Sequence, residues 1–187
     1  MNEIQRSKKI LKILNKIYSK TKIPLKHTNK FTLLISVLLS AQTTDVNVNN
    51  VTKKIYPKYN KPEQFIKLGR KKIEMLIKSI GIFRVKAKSV YLLSKQIMDK
   101  HKGKVPQTFE ELEKLPGVGH KTASVVMSQG FGHPAFPVDT HIHRLAQRWG
   151  LTNGKNVVQT EKDLKRLFPK KFWNKLHLQI IYYGREY

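Results

Sequence analysis

The residues best suited to chemistry lie in two short stretches. These are Leu115-Pro116-Gly117-Val118-Gly119-His120-Lys121-Thr122-Ala123 and, further on, Pro137-Val138-Asp139-Thr140-His141. Lys121 falls in the first turn of a helix expected to start near His120. An exposed lysine titrates near ~10.4 and is almost wholly protonated at neutral pH. At a helix start the positive end of the dipole, neighbouring cations and a partly dry pocket all disfavour the ammonium. An amine neutralised in this way is a nucleophile for an electrophilic carbon. The competing reading is plain surface charge, because Lys121 is one of 37 Lys and Arg residues. Asp139 precedes an apolar-periodic run and is a competent helix N-cap, worth about 0.5–2 kcal/mol. Amide hydrogen bonds would lower its pKa. Held in this way it is a poor base for an ammonium, but it can stay charged and stabilise a developing cation. The two roles are compatible.

The stretch before Lys121 reads as two short helices joined by a tight turn. Thr108 is placed to cap the first, with Glu111 three residues later as in a capping box. Pro116 should stop that helix near Leu115. Gly117-Val118-Gly119 then makes the turn, since glycines without Cβ can take positive φ and approach another backbone closely. The first amides of the second helix have no intrahelical partners and stand beside the positive end of its dipole, which suits a phosphate. Gly117, Val118, Gly119, His120 and Thr122 are therefore candidates for phosphodiester contact, which fixes position without reading sequence. The plain alternative is a helix–turn–helix corner punctuated by Pro and Gly. His141 and His143 look at first like a metal pair. Two apart on a helix, they point to different faces, so no side-chain metal site is expected.

These residues sit in a strongly basic chain of 187 residues with a formal net charge of +25 and a pI near 10.3. A field of that sign favours a polyanion, nucleic acid first and an anionic membrane surface second. An AT-rich coding bias would explain the many lysines but not why Asp and Glu number 12. The absence of cysteine excludes disulfides and any thiolate-ligated metal or cluster within these residues. Met1–Lys20 is amphipathic and basic without an apolar signal core. The longest apolar run, Phe31–Leu39, is too short to span a bilayer. The expectation is a soluble, intracellular (cytoplasmic or nucleoid) protein, with no membrane role.

The elements that must position these residues read as helices throughout. Ile10, Leu11, Leu14, Ile17 and Tyr18 share one face of a first helix. Phe31–Ala41 is apolar nearly all round, the mark of a central buried helix. Val46–Tyr56, Pro62–Leu68, Lys71–Ile80 and Val85–His101 follow, with Gly69 and Gly81 at expected helix ends. Ala123, Val126 and Met127 form the buried face of the helix carrying Lys121. Asp139 caps a helix running to Trp149, with Ile142, Leu145, Ala146 and Trp149 inward. Gln159–Phe168 and Trp173–Tyr183 supply two last helices. No alternation of period two is sustained, so the fold class is all-α.

Leu115–Ala123 followed by Pro137–His141 resembles the helix–hairpin–helix–Gly/Pro–Asp superfamily of DNA glycosylases. Leu39-Ser40-Ala41-Gln42-Thr43-Thr44-Asp45 and Ser79-Ile80-Gly81-Ile82 narrow the resemblance to the endonuclease III family. Gly154-Lys155-Asn156-Val157 and the closing Tyr183-Gly184-Arg185 agree, so the likeness runs from about Phe31 to Arg185.

The resemblance implies a bifunctional DNA glycosylase/AP lyase of base-excision repair, acting as a monomer on duplex DNA with an oxidised pyrimidine such as thymine glycol, or with an abasic site. Lys121 would attack sugar C1′, form a Schiff base and permit β-elimination. Asp139 would stabilise the sugar cation. Asp45 matches an acidic residue close to the family's active site, and its ordinary reading is an N-cap for Val46–Tyr56. Gln42 and Ile82 match the side chains that enter the base stack when a nucleotide is flipped out. Their ordinary readings are a helix C-cap and a core contact, and the family usually has Leu where Ile82 stands. Backbone carbonyls of Glu113, Leu115 and Val118 match positions that can hold an alkali-metal ion. The family continues past Gly-Arg into four cysteines that bind a [4Fe–4S] cluster, whereas this chain stops at Tyr187 with no cysteine. It is therefore either a shortened chain or a cluster-free relative. The implied fold has a six-helix lobe, 23–132, carrying the hairpin at 108–130. A second lobe comprises 1–22 plus 133–187, with DNA in the cleft between them. One rival is a monofunctional adenine or mismatch glycosylase of the same fold; it lacks the lysine and activates water, so Lys121 speaks against it. The other is a non-catalytic helix–hairpin–helix module, against which Lys121 and Asp139 together argue.

Overall fold

The computed structural model describes all 187 residues. It contains ten α-helices, one π-helical turn and one 3-10 turn, and no strand. The chain divides into two compact units, Pro24–Phe131 and a second made of Met1–Ile23 with Gly132–Tyr187.

The first unit, called here the hairpin unit, is organised on α2 (Lys30–Leu39), in which every residue from Phe31 to Leu39 is buried. Each fully buried Leu, Ile or Phe contributes about 1.5–3 kcal/mol relative to exposure. Asn29 starts the helix with a capping box closed by Thr32. The polar groups that the core admits are satisfied. Tyr56 Oη lies 2.6 Å from Ser36 Oγ and donates to the Thr32 carbonyl at 3.0 Å. Around α2 stand α3 (Asp45–Ile55), α4 (Pro62–Leu76) and α5 (Phe83–His101), then the short α6 (Phe109–Glu113) and α7 (His120–Val125). A π-helical turn, Val126–Gly130, completes the unit.

Several boundaries differ from expectation. The separate helices expected over Pro62–Leu68 and Lys71–Ile80 are two arms of α4. The backbone leaves helical geometry at Gly69 (φ 74°, ψ 160°) between them. The second arm ends at Leu76, and Ile77 and Ile80 are buried from an irregular segment. The helix expected to reach Leu115 stops at Glu113, because the Leu115 N–H turns back to the Leu112 carbonyl in a tighter bend. Thr108 caps α6 by accepting the Glu111 N–H at 3.2 Å. The reciprocal half of the expected box is replaced by the Thr108 hydroxyl donating to Glu111 Oε2 at 3.1 Å.

The second unit, called here the terminal unit, holds α1 (Glu3–Ile17), α8 (Thr140–Arg148), α9 (Val157–Leu167), a 3-10 turn (Lys170–Phe172) and α10 (Trp173–Glu186). Its core joins Leu14, Phe136, Ile142, Leu145, Leu164 and Ile180, with Ile10, Leu11 and Tyr18 packed at the edge. Ile17, expected on the inward face of α1, is instead 52% exposed, because the helix ends there and the chain turns away. The buried Gln179 amide donates to the Leu14 and Tyr18 carbonyls at 3.3 and 2.9 Å, so α10 closes the end of α1. Trp149 packs on Tyr183, which stacks on Tyr187 at 4.7 Å. No helix is long and apolar enough to cross a membrane.

Candidate active site and DNA-binding hairpin

In the hairpin unit, α6 and α7 are joined by a turn in which the Val118 N–H donates to the Leu115 carbonyl at 3.1 Å. Leu115 and Val118 are buried and anchor the turn from below. Gly117 has φ +77°, and a Cβ there would stand 2.7 Å from both Cβ and Oγ of Ser89 on α5. Gly119 differs from expectation. Its backbone is extended (φ −92°, ψ 177°), so it needs no positive φ. As N-cap it offers no side chain to the first amides of α7, and the space beside its Cα is open. Amides left uncapped at a helix start, with nothing over them, suit an anion.

The residues just past the turn diverge. His120 is drawn back to α6: its Nδ1 lies 2.7 Å from Glu113 Oε1 and its ring stacks on Phe109 at 5.7 Å. Val118 is buried, so any contact it makes with a ligand is through its backbone. Thr122 is half-buried. The Lys121 side chain is exposed and makes no hydrogen bond or ion pair. Ala123, Val126 and Met127 are buried as expected and hold the other face of this segment in the core.

The same unit brings Gln42 and Ile82 onto adjoining turns. Gln42 lies in the bend between α2 and α3, exposed, with φ +54°. Ile82 is the N-cap of α5, 53% exposed, with φ +50° and ψ +37°. Neither ordinary reading holds. Gln42 lies two residues beyond the C-cap Ser40, and Ile82 is not a core residue. Left-handed backbone in a β-branched residue is a genuine outlier and costs roughly 1–2 kcal/mol. The turns touch, since a Cβ on Gly81 would stand 3.1 Å from the Gln42 carbonyl oxygen. The Gly81 N–H donates to Thr43 Oγ1 at 3.2 Å. Thr44, not Asp45, caps α3 by accepting the Asn47 N–H at 3.2 Å. Asp45 is the first residue of that helix and half-buried.

In the terminal unit Asp139 sits where expected. Its Oδ1 accepts the Ile142 N–H at 2.8 Å as N-cap of α8, leaving Oδ2 without a hydrogen-bond partner. The extended segment leading to it is fixed by buried Phe136, Pro137 and Val138, and by the Ala135 N–H donating to Asn174 Oδ1 at 3.0 Å. His141 and His143 point apart as read from their spacing, the first toward the Gly184 carbonyl and the second toward Thr160 Oγ1. No group of three or more His, Cys, Asp or Glu side chains comes together. An iron–sulfur cluster needs thiolates, and these residues contain no cysteine, so the donor set present does not fit one.

Two residues escaped the sequence reading. His177 on α10 is 1% exposed, with Nδ1 directed at the Trp173 carbonyl and Nε2 without a partner. Burial pushes its imidazole down to about 4, against a smaller opposing pull from the Asp139 charge. Lys86 in the first turn of α5 is 3% exposed. Its signal was present, since it stands one turn before Val90 on the stripe that continues to Leu93 and Ile97. A lysine on an apolar stripe needs an explanation that a surface lysine does not.

Residues 35–170 match the model of the HhH-GPD superfamily of base excision DNA repair proteins. The chain is 46% identical over 160 residues to endonuclease III of Bacillus subtilis, covering 85% of this chain and 73% of the relative. It is 40% identical over 188 residues to endonuclease III of Escherichia coli K12, covering 99% and 87%. Its fold is similar to that of a trapped endonuclease III–DNA covalent intermediate in an estranged-adenine complex, with a TM-score of 0.96 at 41% identity, over 100% of this chain and 88% of that one. The family model matched over residues 35–170, together with identities of 40–46% over most of the chain, shows that this chain belongs to the endonuclease III family.

Proposed function

We propose that this protein is a bifunctional DNA glycosylase/AP lyase of base-excision repair that acts, as a monomer, on oxidised pyrimidines of the thymine glycol type in duplex DNA. The observation that carries the reading is the place of Lys121. It is an exposed, unpartnered amine on the second residue of α7, directly after a hairpin whose helix start is uncapped and open. Backbone amides of the turn, with Gly119 giving the approach, would take a phosphate and so set the register of the neighbouring nucleotide. With the target base extruded, the Lys121 amine attacks C1′ and the bond to the base breaks, the base leaving with the electron pair and gaining a proton. Positive charge grows on the sugar during this step, and the free Oδ2 of Asp139 gives a charged oxygen to stabilise it. The attached nitrogen, having lost one proton, then uses its lone pair to expel the ring oxygen; the C1′–O4′ bond breaks, O4′ takes up a proton, and the protonated Schiff base forms. It acidifies C2′, a proton leaves there, the C3′–O bond breaks and the 3′ phosphate departs. Water then returns the lysine. Gln42 and Ile82 fill the stack that the base has left. Asp45, within the same unit as the hairpin, contributes charge near the reacting sugar rather than a cap.

The test is covalent trapping. Duplexes carrying thymine glycol or an abasic site are incubated with the protein and borohydride, which reduces a Schiff base to a stable amine. An adduct is expected with the wild type and none with Lys121→Ala. Base release by wild-type protein with no trappable adduct would refute the lysine mechanism and favour activated water. Binding to the same duplexes should weaken steeply with salt as counterions are released, and a flat response would count against phosphate contacts.

A further inference from the structure

The two turns that carry Gln42 and Ile82 are held by one side chain whose properties are otherwise hard to explain. Lys86 is all but excluded from solvent, and no carboxylate pairs with it. Its ammonium donates to the Leu39 carbonyl at 2.9 Å, to the Ala41 carbonyl and to Thr43 Oγ1 at 3.1 Å. Those three bonds use all three donors of the group. Leu39 ends α2, so the cation also meets the negative end of that helix dipole. Burial disfavours the charged form of this amine, and only neutral oxygens offset it. A methionine of similar length would fill the space without that cost. The ammonium is therefore best understood by what it ties together.

Those ties converge on the two strained residues. Leu39, Ala41 and Thr43 bracket Gln42 on both sides. The Lys86 backbone N–H donates to the Ile82 carbonyl at 3.1 Å, so one residue grips both turns. Thr43 Oγ1 receives the Lys86 ammonium and the Gly81 N–H together, and Asn47 Nδ2 adds a bond to the Ser79 carbonyl at 2.9 Å. Among residues other than glycine, positive φ occurs at Gln42, Ile82 and Lys102. Lys102 is an ordinary helix C-cap. The other two lie on the two turns that meet at this junction, where the Gln42 carbonyl comes close to Gly81. Left-handed backbone at such residues persists where the surroundings over-determine it.

We infer that Lys86 is a positioning residue that keeps the Gln42 and Ile82 turns locked together in their left-handed form, so that both side chains are presented to the base stack before DNA arrives. The inference rests on the reading of Gln42 and Ile82 as the residues that fill the opened stack. The lock lowers the cost of opening the duplex, because no loop ordering remains to be done during insertion. It leaves the lysine chemistry itself to Lys121.

The test compares two abasic-site DNAs. One has the site paired within a duplex with 2-aminopurine opposite. The other holds it in a one-nucleotide bulge already outside the stack. Fluorescence of 2-aminopurine reports stack opening in the first, and borohydride trapping reports chemistry in both. Lys86→Met removes the three donors at similar volume. Thr43→Val removes the shared oxygen and keeps the ammonium on its two carbonyls. Lys86→Met is expected to lower the paired-to-bulged ratio of trapping rates at least tenfold and to slow the fluorescence rise in parallel, with a smaller change in the same direction for Thr43→Val. If folded Lys86→Met and Thr43→Val both keep the wild-type ratio and rise, the positioning role is wrong. If Lys86→Met does not fold, the ratio in Thr43→Val decides by itself. Gln42→Ala and Ile82→Ala separate the two levels. If neither lowers the ratio, the stack-filling reading falls and Lys86 with it. If they lower it and the Lys86 and Thr43 variants do not, the positioning role alone falls.

Discussion

Asp139 is asked to do two things at once, and a pair of substitutions pulls them apart. As N-cap, its Oδ1 accepts the Ile142 N–H at 2.8 Å. Asparagine keeps an acceptor oxygen in the same place and ranks with aspartate as a cap. Asp139→Asn should therefore lose only the charge–dipole contribution, about 0.3–1 kcal/mol. Alanine removes the acceptor as well, at a further cost of about 1 kcal/mol. Catalysis should follow a different rule. If the carboxylate works by its charge on the sugar cation, both variants lose it equally. Removing one preorganised group of this kind costs about 10²–10³ in rate, or roughly 2.7–4 kcal/mol in the barrier at about 1.36 kcal/mol per tenfold. The two variants are thus expected to differ in stability and to match in turnover.

Both quantities can be read cleanly. The two tryptophans, Trp149 and Trp173, lie in the same unit as Asp139, so urea unfolding followed by their fluorescence reports the unit that the cap stabilises. Turnover is read as single-turnover base release from a thymine glycol duplex at saturating protein. If Asp139→Asn released base within threefold of wild type while losing stability, the cap would be its whole role and the electrostatic assignment would be refuted. If Asp139→Ala were far slower than Asp139→Asn, the orientation set by the cap would outweigh the charge.

Two further outcomes follow from the same geometry. His177 is held near 4 by burial while its unfolded value is near 6.5, so between those limits the unfolded chain binds a proton that the folded chain refuses. Stability from this group is complete above pH 6.5 and falls with pH toward 4, by about 2 kcal/mol between pH 7 and 5; unfolding by urea at both pH values should show this in the wild type and not in His177→Leu. The hairpin glycines should separate as well. Gly117→Ala, at positive φ with Ser89 2.7 Å from the new Cβ, should cost at least about 2 kcal/mol of stability. Gly119→Ala, in open space, should stay within about 1 kcal/mol while weakening duplex binding at least tenfold, and equal binding by Gly119→Ala and wild type would argue that the helix start does not meet the phosphate.

What was legible in the sequence follows from how local its cause is. Helices in both units could be read because apolar spacing and caps act within a few residues: Phe31–Leu39 is buried throughout, and Thr108 and Asp139 cap as their types suggest. Ends were less legible where a distant partner sets them. Nothing near Leu115 announces that its N–H turns back on Leu112, and Ile17 looks like core until the helix stops beneath it. The two glycines of Gly-Val-Gly read alike in sequence, yet one is required by Ser89 on α5 and the other by nothing within the protein. The left-handed turns at Gln42 and Ile82 were illegible for the same reason, since neither residue type favours them and the ties that impose them come from Lys86 and Thr43.

Lys86 and Lys121 show what decides the fate of one residue type. Each lies in the first turn of a helix, where the dipole disfavours an ammonium, and each belongs to the same compact unit. At Lys86 three oxygens surround the nitrogen and every N–H is engaged, so a lone pair can appear only if those bonds are broken. That arrangement suits a rivet and forbids a nucleophile. At Lys121 no acceptor within the protein holds the amine, and the residue before the helix is a glycine that contributes no side chain. Losing a proton there breaks no bond to the protein, and the substrate can supply the remaining contacts. Adding an acceptor should therefore be as damaging as removing the amine. Thr122 is half-buried and adjoins Lys121 on the exposed start of α7. A carboxylate placed there, as in Thr122→Glu, would hold the ammonium and repel phosphate together. At saturating DNA, where binding no longer limits the rate, trapping by Thr122→Glu should still be at least tenfold slower than by the uncharged Thr122→Gln. Equal rates for the two variants at saturation would place the whole effect on binding and leave the partner-free amine without a catalytic meaning.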